Sequence, residues 1–250
     1  MIPKELNGAK QIERGIKPLG GPSYGSIPHL PGSRLGPGEK CINEGQERIA
    51  TIRKRDKHDL IIVQEKIDGS NVGVAKVGGK IIALTRAGYE ASTSPYVQHH
   101  LFAEYVRQNE SRFFNLLNEG ERVCGEWLAQ AHGTRYLLKH EPFVAFDIMT
   151  GSERLPVNVF SERVWKYDFI IPWVIHYDGP MSIKSAMDIL SISGHGAIDP
   201  VEGAVWRVER KGKVDFLCKY VRLDKQDGKY FPELTGNGEV WNIDITPYLK

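Results

Sequence analysis

Gln64-Glu65-Lys66-Ile67-Asp68-Gly69-Ser70-Asn71 follows the apolar run Leu60-Ile61-Ile62-Val63, which reads as a strand entering a core. The strand fixes the backbone under Lys66, and Asp68-Gly69 is expected to reverse the chain closely around whatever the amine faces. An amine held beside apolar residues has its pKa lowered and becomes a nucleophile near neutral pH. The alternative is a hairpin with a surface lysine, because Asp-Gly turns between strands are common. This stretch alone leaves both readings open.

With 250 residues, 41% of them apolar, the chain can build one large domain or two modest ones. Lys plus Arg number 33 against 31 Asp plus Glu, so net charge points to no partner class and any nucleic-acid surface must come from local clustering. The nearest cluster is Arg53-Lys54-Arg55, with Lys57 and His58 beside it, and a solvated run is its plainer reading. Cys41, Cys124 and Cys218 form no CxxC pair, which points away from a zinc site or a disulfide framework. There is no secretory h-region and no apolar run of about 18 residues, so no membrane partner and a reducing, cytoplasmic setting are expected.

Residues 1–45 are rich in Gly and Pro, and the segment SYGSIPHLPGSRLGPGEK from Ser23 to Lys40 excludes a regular helix or central strand. Tyr24, Ile27, Leu30 and Leu35 give it apolar anchors, and His29, Ser33 and Arg34 with backbone amides suit an anion-binding loop. An ordered layer over the domain is expected, with residues 46–250 as the domain proper. Strands are predicted over 60–66, 71–77 and 80–86, the last two joined at Gly78-Gly79. Ser94-Pro95 reads as N-cap and first residue of a helix to about Gln108, with a short helix over 112–117. Strands over 122–128 and 143–149 each run onto a carboxylate, Glu126 and Asp147, which is costly to bury without a cation or hydroxyl to meet it. Helices near 161–167 and 182–192 precede a last hairpin, 202–208 against 214–222. Trp127, Trp165, Trp173 and Trp206 are expected in the core, and His132 and His140 on a solvated loop.

Lys66 in EKIDGSN, Thr85-Arg86, Glu126, Phe146-Asp147, Glu202-Gly203 and Lys219 form an ordered set over roughly residues 60–222. In order and interval this set resembles the covalent nucleotidyltransferases, the ATP-dependent RNA and DNA ligases and mRNA capping enzymes. Glu65 before the lysine and Gly69-Ser70-Asn71 after it look like the phage T4 RNA ligase 2-like branch. The resemblance implies an α+β fold, an ATP-grasp-like nucleotidyltransferase domain of two antiparallel sheets with flanking helices. It implies an ATP-dependent RNA ligase that uses ATP and Mg²⁺ or Mn²⁺ and joins 3′-OH and 5′-phosphate ends through lysyl-AMP. Lys66 would be the nucleophile, Glu65 would face the adenine edge and Asn71 the ribose or phosphates. Arg86 would contact phosphate, Glu126 the ribose hydroxyls, Phe146 the purine face, Glu202 the metal and Lys219 the α-phosphate.

The physical chemistry agrees. Attack at an α-phosphate builds negative charge and calls for cations, Mg²⁺ accepts few protein oxygens, and adenine needs an aromatic face. Burial, Arg86, Lys219 and the metal are all expected to lower the pKa of Lys66. Arg34, Arg53, Lys54, Arg55 and Arg222 are candidate contacts to RNA or a nicked duplex. Leu217 stands where the family's last motif, Lys-x-Lys, has its first lysine. One α-phosphate contact is then missing or supplied by Arg222, Lys213 or another residue. Fewer than thirty residues follow Arg222, read as no separate C-terminal domain, which leaves substrate grip to the N-terminal segment, an oligomer or an accessory domain in trans. Rival readings are a DNA or mixed-nick ligase, a GTP-using capping-type enzyme and an inactive nucleic-acid-binding relative.

Overall fold

The computed structural model describes residues 15–249, so the first part of the Gly/Pro-rich segment, residues 1–14, and Lys250 lie outside it. In chain order the elements begin with α1 (Glu44–Thr51), β1 (Asp59–Lys66), β2 (Ser70–Val77), β3 (Lys80–Thr85), α2 (Val97–Gln108) and α3 (Glu110–Leu116). Then come β4 (Glu121–Trp127), β5 (Phe143–Thr150), β6 (Glu153–Arg154) and α4 (Val157–Trp165). The last are β7 (Val174–Tyr177), α5 (Ile183–Ile189), β8 (Gly203–Arg210), β9 (Lys213–Val221) and α6 (Pro232–Thr235). The strands form two antiparallel sheets, one ordered β7-β1-β8-β9 and the other β3-β2-β4-β5-β6.

Alternation along the strands assigns the faces. In the four-stranded sheet Ile61, Val63, Ala204, Trp206 and Val208 pack with Ala50 of α1 and Ala186 of α5. In the five-stranded sheet Val72, Val74, Val123 and Ile148 pack against Phe102, Tyr105, Phe113 and Phe160 of the helices. The opposite faces of the two sheets enclose a cleft of about 1000 Å³. β1 is apolar on both faces because it is covered on both, the pattern of a central strand.

Asp68-Gly69 does not turn a hairpin, since β1 and β2 belong to different sheets and residues 67–69 cross between them. Gly69 is needed for close approach: a Cβ there would lie 2.6 Å from the Trp127 carbonyl oxygen. Gly78 and Gly79 do form the expected turn, both with positive φ, as a two-residue hairpin demands. Ser94-Pro95 does not cap α2, which starts after Tyr96 with no side-chain cap. The Ser94 hydroxyl instead meets His99 Nδ1 at 2.6 Å. Helix α1, unforeseen, is built on a capping box between Asn43 and Gln46. Trp127 and Trp206 are core residues, whereas Trp165 and Trp173 are 58% and 37% exposed.

Residues 28–30 run parallel beside β9, with Leu30 N donating to Lys219 O and Lys219 N to Pro28 O at 2.8 and 3.0 Å. Tyr24 and Leu30 are buried anchors of this layer, whereas Leu35 is exposed. All three cysteines are free. Among the described residues no helix is long and apolar enough to cross a membrane.

Candidate active site

Lys66 ends β1 on the cleft face, and β8 and β9 add Val205, Arg207, Leu217 and Lys219 to that face. The Lys66 ammonium is bonded to Glu202 Oε2, and its side chain keeps 22% exposure. Glu202 is placed by the start of β8, where Gly203 lets β9 close in: a Cβ there would lie 1.8 Å from the Tyr220 carbonyl oxygen. The other Glu202 oxygen accepts from Lys225 Nζ at 2.7 Å, and the same ammonium reaches Asp68 at 3.1 Å and Asp227 at 3.0 Å. Two lysines therefore share one carboxylate.

This arrangement reverses the expected pKa of Lys66. Burial pulls it down, but Glu202 and then Glu126 outweigh burial and hold it above the usual lysine value. In the free protein the group is an ammonium. Glu202 is disfavoured as an anion by burial yet ends below the ordinary carboxylate range because Lys66 and Lys225 flank it.

Asn71 and Glu126 are cross-strand partners on β2 and β4. Glu126 Oε1 accepts from Gly69 N at 3.2 Å, and burial, only partly offset by Lys66, pushes its pKa up to about 7. The folded state thus binds a proton there that an unfolded carboxyl releases near 4.5, so this group's contribution to stability falls as pH rises from about 4.5 to 7. Relative to wild type, Glu126→Gln is expected to gain up to about 3 kcal/mol between pH 5 and pH 8, measured by urea unfolding at both. Among the described residues the Asn71 Oδ1 atom has no hydrogen-bond partner.

Phe146 reaches the cleft through an irregularity in β5. Cys124 pairs with Asp147 and Gly125 with Ala145, so Phe146 is the extra residue of a bulge, a device that re-aims a side chain. Its ring meets Tyr24 edge-on, 4.9 Å between centroids. At the cleft floor Asp147 accepts from the Tyr24 hydroxyl (2.9 Å), Arg154 (3.1 Å) and Arg207 (2.7 Å). Arg207 also donates to Glu209 at 2.6 Å, so a buried ion network joins the two sheets.

Glu65 departs from expectation. It pairs with Ala204 on the core face, and its carboxylate accepts from Ser193 Oγ (2.6 Å) and Gly194 N (2.7 Å). Strand alternation turns its carboxylate from the face that Lys66 occupies, although the residue still contributes to the cleft lining. Lys219 points into the cleft but is held by Glu39 at 2.7 Å, and Glu39 Oε2 lies 3.0 Å from His29 Nε2. Burial opposes ionisation of Glu39, but Lys219, Gly36 N and His29 together lower its pKa to about 2. Arg86 is exposed at the cleft, its guanidinium donating to Ser26 Oγ at 3.0 Å.

Of the other cationic candidates, Arg34 lines the cleft and pairs with Asp227 (2.6 Å), the residue that also meets Lys225, whereas Arg222 donates to the Val201 carbonyl and pairs with Asp224. Lys54 pairs with Asp178 and Arg55 with Asp59 and Asp215. The run that holds Arg53 precedes Asp59, at the opposite end of β1 from Lys66. Sequence reasoning missed Lys225, Asp68 and Glu39 as members of the site. Only the nearness of Lys225 to the last motif strand hints at it.

A family model described as RNA ligase matches residues 59–221, about two thirds of the chain. No curated protein matches the sequence. Among solved structures, a putative ATP-dependent DNA ligase from Aquifex aeolicus is similar at 17% identity and a TM-score of 0.48, covering 79% of this chain and 49% of that one. An archaeal ATP-dependent RNA ligase has 20% identity and a TM-score of 0.44, covering 65% and 42%. A Naegleria gruberi RNA ligase with PPi has 16% identity and a TM-score of 0.47, covering 66% and 50%. The chain spans about half the length of these solved structures.

Proposed function

This chain belongs to the RNA ligase family, and from that premise we propose that it is an ATP-dependent RNA ligase of the phage T4 RNA ligase 2-like branch, acting in the cytoplasm. The observation that carries the reading is the convergence on one cleft of Lys66, Glu126, Phe146, Glu202 and Lys219 from both sheets. Residues 46–250 form the adenylyltransferase domain, and residues 15–45 of the N-terminal segment pack on it; grip on RNA or a nicked duplex comes from that segment, an oligomer or an accessory domain.

In the first step the neutral Lys66 amine attacks the ATP α-phosphorus. A P–N bond forms, the bond to the β-phosphate oxygen breaks, pyrophosphate leaves and the amine sheds its remaining extra proton to solvent. AMP then passes to a 5′-phosphate, whose oxygen bonds to the AMP phosphorus as the P–N bond breaks and the Lys66 nitrogen takes up a proton from solvent. Finally a 3′-hydroxyl oxygen bonds to the phosphorus of the strand's own 5′-phosphate, the bond from that phosphorus to the bridging oxygen breaks so that AMP leaves, and the hydroxyl proton goes to solvent. Phe146 stacks on the purine, Glu126 and Asn71 take the ribose side, and Arg86 and Lys219 take phosphate oxygens. Asn71 Oδ1, unpartnered among the described residues, is left for such a contact.

The donor set fits a magnesium or manganese ion. Among the described residues no three His, Cys, Asp or Glu side chains form a ready cage, but Mg²⁺ keeps waters and phosphate oxygens and needs one or two carboxylates. Glu202 would hold it, with Asp68 next to it. Bound there, the ion would supply charge neutralisation to the phosphates. A Glu202 carboxylate drawn away from Lys66 removes the largest charge that raises its pKa, and burial with the Lys225 ammonium then opposes Glu126 in favour of the neutral amine.

The test is incubation with Mg²⁺ and α-labelled ATP or GTP followed by denaturation. Label from ATP is expected. No label from either nucleotide sinks the enzyme reading, and label from GTP alone moves the chain to the capping class. A further prediction concerns Glu39, which sits on Lys219 where a phosphate oxygen is to go. Glu39→Gln is expected to lower the KM for ATP in lysyl-AMP formation by roughly two- to fivefold, the size of a partly exposed ion pair.

A further inference from the structure

Ahead of the segment that the family model matches, residues 28–42 bring His29, Gly36 and Glu39 to the cleft beside Lys219. Hydrogen bonds from His29 N to Lys40 O and from Ile42 N to His29 O, both 2.8 Å, close these residues into a loop. The loop is fastened to β9, the edge strand of its sheet, by Leu30 N and the Lys219 carbonyl oxygen at 2.8 Å. Its side chains therefore stand in fixed relation to Lys219.

Three N–H groups face the Glu39 carboxylate. Lys219 Nζ donates to Oε1 at 2.7 Å, and Gly36 N donates to Oε2 at 2.7 Å. A Cβ on residue 36 would lie 3.0 Å from that same Oε2, so the glycine leaves room for the anion. His29 Nε2 stands 3.0 Å from Oε2 but off the line of a hydrogen bond, and among the described residues it makes none. The ring proton belongs on Nε2. Ser33 Oγ accepts from Val221 N at 2.9 Å and gives its own proton to His29 Nδ1 at 2.6 Å, its other acceptors lying at 3.5 Å. His29 is 1% exposed, so this is a buried donor that the anion now in place uses poorly. Glu39 keeps 32% side-chain exposure and has solvent to turn into. Arg34, on the same loop, is neutralised by Asp227 at 2.6 Å and adds no free charge.

We propose that His29 Nε2, Gly36 N and Lys219 Nζ form a place for the pyrophosphate portion of ATP, which the Glu39 carboxylate fills in the free protein, an inference that rests on the ligase reading above. Carboxylate and phosphate oxygens take the same charge-assisted donors, and a phosphate brings more charge and more oxygens to them. Lys219 takes an α-phosphate oxygen in that reading, so the anion beside it is the phosphate that follows in the same nucleotide. His29, Gly36 and Glu39 all precede residue 59, where the family match begins, so this chain's own loop supplies the place. Until the nucleotide arrives, Glu39 keeps Lys219 and the Gly36 amide paired.

The experiment runs the first step backwards. Full-length protein carrying lysyl-AMP is mixed with Mg²⁺ and inorganic pyrophosphate. A pyrophosphate oxygen bonds to the AMP phosphorus, the P–N bond breaks, the Lys66 nitrogen takes up a proton and ATP is released. Half-saturating pyrophosphate is expected to fall about two- to fivefold in Glu39→Gln, which loses the competing charge. It should rise about tenfold in His29→Met, which loses the donor. His29→Gln, whose amide N–H reaches the same place, should return to within about twofold of wild type. An unchanged or higher value in Glu39→Gln overturns the proposal by itself, including where a variant of the buried His29 does not fold. A His29→Met value equal to wild type overturns it as well. The second arm replaces pyrophosphate with a nicked duplex that bears a 5′-phosphate. A larger change in half-saturation there than with pyrophosphate overturns the proposal, because the donors would then serve the strand end. A wild type that makes no lysyl-AMP at all overturns the ligase reading itself.

Discussion

Arg207→Met is expected to destabilise the fold by about 3–5 kcal/mol, because removing one partner of a buried ion network strands the others. Arg207 is 2% exposed and is bonded to Asp147, Glu209 and the Leu155 carbonyl. Its loss leaves Asp147 with Arg154 and the Tyr24 hydroxyl, and Glu209 with the Val157 amide. The network also spans the two sheets, so the cleft floor loosens with it. Urea unfolding measures the effect, and a midpoint change worth less than about 1 kcal/mol would show that the sheets are held by apolar packing alone. A triple variant that also makes residues 147 and 209 uncharged should recover part of the loss, since desolvation of the charges disappears with them.

Glu202→Gln should cut the rate of lysyl-AMP formation by about 10²-fold or more while the protein stays folded. Glutamine still accepts one hydrogen bond from the lysines but no longer draws both ammonium groups to one point. The cost of misplacing a nucleophile by about 1 Å is of that order. The same change removes the carboxylate best placed for the metal. Label incorporation from α-labelled ATP over time measures it, with circular dichroism as the check on folding. A rate within threefold of wild type would remove Glu202 from the chemistry.

The backbone plan was legible where local pattern decides it. The apolar run before Lys66, the helical spacing of Leu101, Phe102 and Tyr105, and the Gly78-Gly79 turn each fix an element without help from distant residues. Asp68-Gly69 misled because the glycine answers to a carbonyl 2.6 Å away on another strand, which no local rule contains. Ser94-Pro95 misled because a hydroxyl that can cap a helix can equally bond a histidine five residues on. At the site, the residue types were readable and their states were not. A carboxylate shared by Lys66 and Lys225 raises the amine pKa that burial alone would lower, and Lys225 acquires its role from Asp68 and Glu202, far away in sequence, beside the nearby Asp227. Phe146 reaches the cleft through a bulge that has no sequence signature, and the Glu65 carboxylate, though its residue lines the cleft, is taken up by Ser193 and Gly194 far along the chain.

The central claim is that Lys66 is the group that carries AMP. Mass spectrometry of peptides from the protein after incubation with ATP and Mg²⁺, quenched under conditions that preserve phosphoramidates, tests it most directly. The expected result is one AMP-sized mass gain on the peptide that contains Lys66, absent from Lys66→Ala. An adduct on Lys219, Lys225 or any other residue, or one that persists in Lys66→Ala, would contradict the account.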